Sequence, residues 1–220
     1  TLDRSSAASD VYKRQDIMSE AIIHGFLLAI GLILPLGAQN VFVFNQGANQ
    51  SKLIKAFPAV ITAGICDSIL ISLAVIGVSL VLMSLPLLQI VIYIIGLIFL
   101  LYMAWTLWNA NPDPVKQEGG LSTTQQISFA LSASLLNPHA IIDTIGVIGT
   151  NASTYEGNDK FAFTLTCIFV SWLWFIILVL LGRTVGTIDK SGKLLMVINK
   201  LSSIIIIIVS IITVSYTHLT

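Results

Sequence analysis

The sequence predicts an all-α integral membrane protein whose six transmembrane helices form two inverted three-helix repeats, with proline-broken first and fourth helices. Only 10% of the 220 residues are charged and 55% are hydrophobic, whereas about 25% of the residues in a soluble domain are charged. So few charges cannot build a water-facing surface, which excludes a soluble globule or a disordered chain. The 11 basic residues are balanced by 11 acidic ones, so the chain also lacks the positive field that holds nucleic acid.

Six apolar runs are long enough to cross a bilayer core, which takes about 20 helical residues. The runs are continuous, and they therefore favour helices over a barrel. Pro86 interrupts the apolar sequence between the second and third runs, and it predicts a tight hairpin there. We predict spans over residues 22–44, 56–83, 85–108, 126–150, 161–181 and 194–214.

A polar linker at residues 109–124 divides the chain into halves of three spans, residues 18–108 and 125–214. Three is an odd number, so the halves insert with opposite orientations, which is the inverted-repeat plan of many secondary transporters. Both halves belong to a single transmembrane domain, residues 18–214. Segments 1–17 and 215–220 resemble translated sequencing-adapter read-through, and we expect them to be non-native tails.

The basic residues predict the orientation, because short loops rich in lysine and arginine stay on the cytoplasmic side. Without the suspect tails, one side of the predicted topology carries seven basic residues and the other carries Lys160 alone. We therefore expect an outside N-terminus and a cytoplasmic linker at residues 109–124. The seven basic residues are Lys52, Lys55, Lys116, Arg183, Lys190, Lys193 and Lys200.

Two carboxylates lie inside predicted spans, Asp67 in the second and Asp143 in the fourth. An ionised aspartate near the bilayer centre costs about 2.5–3.5 kcal/mol on insertion scales, so it should face a cavity or a partner. No lysine or arginine lies at a matching depth in the predicted spans. Two interpretations stay open: a protonated structural aspartate, or a site for a cation, a proton or both.

Each half opens with a helix that a proline interrupts. Pro35 and Pro138 each remove a backbone hydrogen bond inside a span, and Gly37 belongs to the first break. Five residues after each proline stands a polar side chain, Asn40 in PLGAQN and Asp143 in PHAIID. Broken helices at corresponding positions of two repeats indicate a binding site near the membrane midplane.

Cofactor and metal signals are weak in this sequence. His139 follows Pro138 and could relay protons or simply bond to a neighbouring helix. Cys66 and Cys167 lie in apolar runs, as small buried hydrophobic residues do. Two aspartates and one histidine, without a cluster of cysteines or carboxylates, provide few ligands for a metal ion. No GxxxxGK[ST] loop is present, so we predict no cofactor and no use of ATP.

Three segments resemble the lysine exporter (LysE) family of amino-acid efflux proteins, particularly its lysine- and arginine-exporting branch. They are GLILPLGAQNVFVFNQG, GICDSIL and LLNPHAIIDTIGVIG, and the resemblance extends over residues 18–214. It implies a multi-pass exporter of basic amino acids in the bacterial inner membrane. It also implies that PLGAQN and NPHAIID line the transport path and that Asp67 and Asp143 serve it.

The residue chemistry agrees with such a substrate. A cationic amino acid needs anionic groups and hydrogen-bond donors in one cavity, and half-helix N-termini could hold its carboxylate. Exchange with protons is the simplest energy source, and the sequence leaves a homo-oligomer open. The predicted substrate-binding or proton-coupling residues are Asp67, Asp143, Asn40 and Asn137.

Two other functions are weaker. The first is export of a divalent cation. The second is an intramembrane protease, but the GICD segment lacks the GxGD spacing of an aspartyl type and no G-x-S-x-G setting is present. We therefore predict a transporter and not an enzyme.

Overall fold

Helices account for the regular secondary structure in the part of the chain that this computed structural model describes. That part comprises residues 2–34, 37–77, 86–109, 120–137, 141, 144–189 and 191–217. No strand occurs among these residues, so the all-α prediction is confirmed. The elements are α1 (Leu2–Ile33), α2 (Ala38–Asn49), a 3₁₀ turn (Leu53–Ala56), α3 (Phe57–Ile76), α4 (Pro86–Trp108), α5 (Thr123–Leu135), a π-helical turn (Thr144–Ile148), α6 (Gly149–Ala152), α7 (Gly157–Ile188) and α8 (Lys193–Thr217).

Three of the described helical segments are long and apolar enough to cross a bilayer, namely Asp16–Ile33, Leu53–Ile76 and Gly157–Ile188. A shorter apolar segment, Ile94–Trp108, belongs to α4. These segments fit a membrane protein. The six-span layout and the inverted repeat remain predictions.

Local sequence explains several helix ends. Ser122 and Gln125 form a capping box at the start of α5, in which the Ser122 hydroxyl accepts from the Gln125 N–H and the Gln125 side chain accepts from the Ser122 N–H. Helix α3 ends at Ile76, before the predicted position 83, because Gly77 adopts a left-handed φ of 88° that favours glycine and stops a helix.

The predicted first span consists of two helices. Helix α1 ends at Ile33 and α2 begins at Ala38, while Pro35 lies outside the described residues. The Asn40 side chain donates a hydrogen bond of 2.8 Å to the carbonyl oxygen of Ile33. That oxygen belongs to the last turn of α1, where carbonyls lack helical partners, so Asn40 bonds across the break.

The predicted fourth span is also interrupted. Helix α5 ends at Leu135, and helical structure is described again at Ile141 and then from the π-helical turn at Thr144–Ile148 into α6. Pro138, His139 and Asp143 lie outside the described residues, so what the sequence predicts for them stays a prediction.

Helix α7 contacts α1, α2 and α3. Its approach to α2 is close because glycines face the other helix: a Cβ added at Gly182 would overlap the carbonyl oxygen of Phe44, and one at Gly186 would overlap that of Ala48. Close backbone approach through small residues is typical of membrane helix pairs. Helices α4 and α8 form another pair, in which the Ser203 hydroxyl donates to the Ala104 carbonyl at 2.7 Å.

Candidate functional site

Asp67 occupies the middle of α3 and binds two other helices. Gln39 Nε2, in the first turn of α2, donates to Asp67 Oδ1 at 3.0 Å. Ser171 Oγ, from the central part of α7, donates to Asp67 Oδ2 at 2.7 Å. The carboxylate on α3 therefore makes hydrogen bonds to both α2 and α7.

Both of these hydrogen-bond donors are neutral. They satisfy the geometry of the carboxylate oxygens but do not balance a negative charge. An ionised aspartate inside a membrane is costly unless it has a charged partner or faces a polar path. The arrangement of Gln39, Asp67 and Ser171 is therefore suited to a positively charged ligand or a proton.

The predicted residues Gly37 and Asn137 lie side by side. A Cβ added at Gly37 would lie 4.0 Å from Asn137 Nδ2. Gly37 immediately precedes α2, whereas Asn137 follows the end of α5 and is 8% exposed. The edges of the two helix interruptions thus approach each other, which the sequence alone could not establish.

The same region contains contacts between α3 and its neighbours. The Cys66 thiol lies beside the Ser134 hydroxyl of α5, and Trp172 Nε1 of α7 donates to Ser68 Oγ at 3.0 Å. A Cβ at Gly64 would collide with the Trp172 ring. Residues 64–68 of α3 are therefore held between α5 and α7, with Asp67 among them.

Two residues of this site were not predicted from the sequence. Gln39 gives no clear signal because polar residues are common at the end of a predicted span, and Ser171 gives none because a single serine is common in an apolar helix. Only the rotation of α2 and α7 about their axes places these side chains against Asp67. Cys66 and Cys167 are free and buried, as expected.

Within the described ranges, no group of three or more histidine, cysteine, aspartate or glutamate residues could hold a metal ion. Asp143 and His139, which the sequence also proposes for the site, are outside those ranges. The chemistry available in the described site is thus one carboxylate surrounded by amide and hydroxyl groups.

A protein-family model described as "LysE type translocator" matches residues 30–216. The chain belongs to the LysE family. The match includes both helix interruptions and all the predicted site residues. As a LysE protein, the chain is a multi-pass transporter of the bacterial inner membrane and not an enzyme.

Individual LysE relatives are similar over most of their length. A Bacillus subtilis (strain 168) protein, YisU, named as a candidate amino-acid transporter, is 51% identical over 192 residues, which cover 87% of each chain. The arginine exporter protein ArgO of Salmonella paratyphi A is 32% identical over 82% of this chain and 87% of its own. ArgO of Serratia proteamaculans (strain 568) is 30% identical over 86% of this chain and 93% of its own. No solved structure matches this LysE chain significantly.

Proposed function

We propose that the protein exports basic amino acids, lysine or arginine, across the bacterial inner membrane. The observation that carries the proposal is Asp67, a carboxylate inside α3 whose two described donors, Gln39 and Ser171, are both neutral. An ammonium or guanidinium group supplies the missing positive charge, and charge-assisted hydrogen bonds are the strong ones. The relatives named as arginine exporters support the same substrate class.

In this proposal, the two helix interruptions hold the rest of the substrate. The N-terminus of α2, beside Gly37 and Asn40, presents the positive end of a helix dipole to the α-carboxylate. Asn137 lies next to Gly37 and contributes from the second half of the chain. Asp143 completes the site, with His139 as a candidate proton relay.

Six spans and an inverted repeat are part of the proposal. Pro35 and Pro138 interrupt the first helix of each half, and the linker at residues 109–124 lies in the cytoplasm. The neighbouring positions of Gly37 and Asn137 support this layout, because an inverted repeat brings its two broken helices together at the centre.

The charge on Asp67 is tested by Asp67→Asn, which keeps volume and removes the charge. We expect arginine and lysine efflux to fall about 100-fold. That factor corresponds to the loss of roughly 3 kcal/mol of charge-assisted hydrogen bonding to the substrate. The measurement is efflux of labelled arginine from preloaded proteoliposomes at matched protein content. Asp189→Asn, which alters a partly exposed carboxylate in the loop after α7, is the control and should export normally.

The alternative, a protonated structural Asp67, predicts the opposite result. A neutral carboxyl tolerates replacement by an amide of the same shape, so Asp67→Asn would retain normal efflux. That outcome would remove Asp67 from the mechanism.

Proton exchange has its own test. A proton gradient with the outside of the proteoliposome more acidic than the inside should accelerate arginine export. A protonophore should abolish the acceleration. Arginine efflux that is indifferent to both treatments would contradict proton coupling while leaving the substrate assignment intact.

A further inference from the structure

A hydrogen-bond network joins the two halves of the chain at one end of the molecule. Gln50, which caps the end of α2, donates from Nε2 to the Leu121 carbonyl at 2.9 Å. Gln126 of α5 donates from Nε2 to the same carbonyl and to the Lys55 carbonyl, both at 2.9 Å. The Leu121 carbonyl therefore accepts from α2 in the first half and from α5 in the second, and α5 also bonds to the turn before α3.

The side chains of this network are packed closely and lie away from solvent. Gln50 is 4% exposed and Gln126 is 1% exposed. A Cβ added at Gly120 would lie 2.5 Å from Gln50 Oε1, so the backbone just before Leu121 lies directly on the Gln50 side chain. The network thus closes this end of the contact between α2 and α5.

Apolar packing continues the closure from the network toward Asp67. Phe42 of α2 stacks on Phe129 of α5, with ring centroids 4.3 Å apart. Phe42 also shares a buried cluster with Ala130 of α5 and with Ala59, which stands eight residues before Asp67 on α3. Rings and small side chains of the described chain therefore pack between α2, α3 and α5 on this side of Asp67.

The network lies between Asp67 and the predicted cytoplasmic end of the molecule. Gln39 bonds to Asp67, and Gln50 stands eleven residues later, which is about 16 Å along a helix axis at about 1.5 Å per residue. The substrate of an exporter enters from the cytoplasm, so it must pass the network to reach Asp67. The basic residues that predict a cytoplasmic location for this end are Lys52, Lys55 and Arg183.

We propose that the hydrogen bonds of Gln50 and Gln126 to the Leu121 carbonyl form the inner gate of the transporter. The inference rests on the proposed export function. The gate is closed in the described structure, and it must part before a cytoplasmic substrate reaches Asp67. Hydrogen bonds are suited to this role, because water can replace each lost partner and the net contribution of one bond to stability is small. Arg183 Nη1 donates to the Gln50 carbonyl at 2.8 Å, so the backbone at the end of α2 has its own bond to α7 when the Gln50 side chain releases Leu121.

The first test locks the gate with a cross-link. Gln50→Cys is combined with Gly120→Cys, because these positions are in contact, and a bifunctional methanethiosulfonate with a one-carbon spacer is applied in detergent before reconstitution. We expect efflux of labelled arginine from preloaded proteoliposomes to stop after cross-linking and to return when a membrane-permeant reductant cleaves the link. Gln50→Cys alone, treated in the same way, controls for reaction at Cys66 and Cys167.

The cross-linking result distinguishes a moving contact from a static one. A contact that only supports the fold stays closed throughout transport, so a link across it would leave efflux unchanged. Unchanged efflux by the cross-linked double variant would therefore overturn the gate while leaving the export function intact.

The second test weakens the gate and needs no substrate. Gln50→Met keeps a side chain of similar length but removes the donor to Leu121. In inside-out membrane vesicles, we expect Cys66, the neighbour of Asp67, to react about fivefold faster with a membrane-impermeant maleimide, the factor for about one net hydrogen bond. Cys167 is the internal control, because its thiol donates to the Gly25 carbonyl of α1 at 3.6 Å and not toward α2 or α5. Mass spectrometry of the two cysteine peptides measures both rates.

Ser203→Ala is the matched control variant. It also removes a buried side-chain donor to a backbone carbonyl, that of Ala104 at 2.7 Å, but in the contact of α4 with α8, so the Cys66 rate should stay at the wild-type value. No acceleration at Cys66 in Gln50→Met, or an equal acceleration at Cys167, would overturn the gate. Wild-type protein that exports neither arginine nor lysine would overturn the export function, and the labelling rates would still decide the gate.

Discussion

Two helix pairs in this protein are built on different contacts. Helix α2 meets α7 backbone to backbone, through Gly47, Gly182 and Gly186. Helix α4 meets α8 through larger side chains, including Leu100, Met103 and Ile206 in one buried cluster. An interface of glycines and carbonyls cannot slide or rotate without overlap, whereas side chains can adopt other rotamers. The comparison teaches that a shift of α2 against α7 would meet backbone atoms, whereas a shift of α4 against α8 would meet side chains that can repack.

Arg183 strengthens the first pair. Its guanidinium donates to the carbonyls of Gln50 and Ser51, at 2.8 and 3.3 Å, just beyond the end of α2. Both donors to Asp67 therefore belong to one unit, Gln39 on α2 and Ser171 on α7. A displacement of that unit relative to α3 would change both hydrogen bonds to Asp67 together.

The largest expected effect comes from Gly182→Ala. The added methyl group overlaps the Phe44 carbonyl. A backbone carbonyl cannot rotate away as a side chain can, so we expect the free energy of unfolding to fall by about 1–3 kcal/mol. The measurement is the thermal midpoint in detergent, followed by size-exclusion chromatography. Gly31→Ala is the control, since a Cβ at Gly31 meets nothing within 4 Å. Equal midpoints for the two variants would refute the close contact of α2 with α7.

A smaller effect is expected from Met103→Leu in the second pair. Met103 is 1% exposed, but a swap of similar volume in a side-chain interface usually costs below about 1.5 kcal/mol. The midpoint should therefore fall less than in Gly182→Ala, and arginine export should persist. A larger loss than that of Gly182→Ala would reverse the proposed difference between the pairs.

The smallest effect concerns Asp189, in the loop that joins the two pairs. Its carboxylate accepts from the Leu195 N–H at 2.9 Å and from Ser191 Oγ at 3.0 Å. The hydrogen bond from the Leu195 N–H is the largest reason that the pKa of Asp189 lies below its ordinary value of 3.8, and the bond from Ser191 adds to it. These bonds therefore stabilise the folded protein fully at pH values above 3.8. The stabilisation is lost as the pH falls through the lowered pKa of Asp189.

Asp189→Asn should consequently lower the thermal midpoint slightly at pH 7 and leave it unchanged at the lowest pH that the protein tolerates. The check is a series of thermal midpoints from neutral to acidic pH for the variant and the wild type. A constant difference between the two proteins across the series would show that the charge of Asp189 plays no part.

The sequence predicted those features that depend only on which residue types occur within one helix. Asp67 stood out because a carboxylate is rare in an apolar run, and the first break was expected from Pro35 in a span. Gln39, Ser171 and the contact of Gly182 with Phe44 were not predictable, because they depend on how two helices rotate against each other. The end of α3 at Ile76 differs from the predicted position 83, because a glycine inside an apolar run does not reveal whether it will adopt a left-handed φ.

The length of α7 has a consequence for the membrane around it. Its 32 residues extend about 48 Å at 1.5 Å per residue, against a hydrocarbon core of about 30 Å. The apolar part of α7, the predicted span 161–181, matches that core, so the polar ends of the helix reach headgroup depth. Arg183, near the end of α7, binds the end of α2 there. We therefore expect lipid headgroups to reach the hydrogen bonds between Arg183 and the end of α2, so that lipid composition would affect the position of the half-helix.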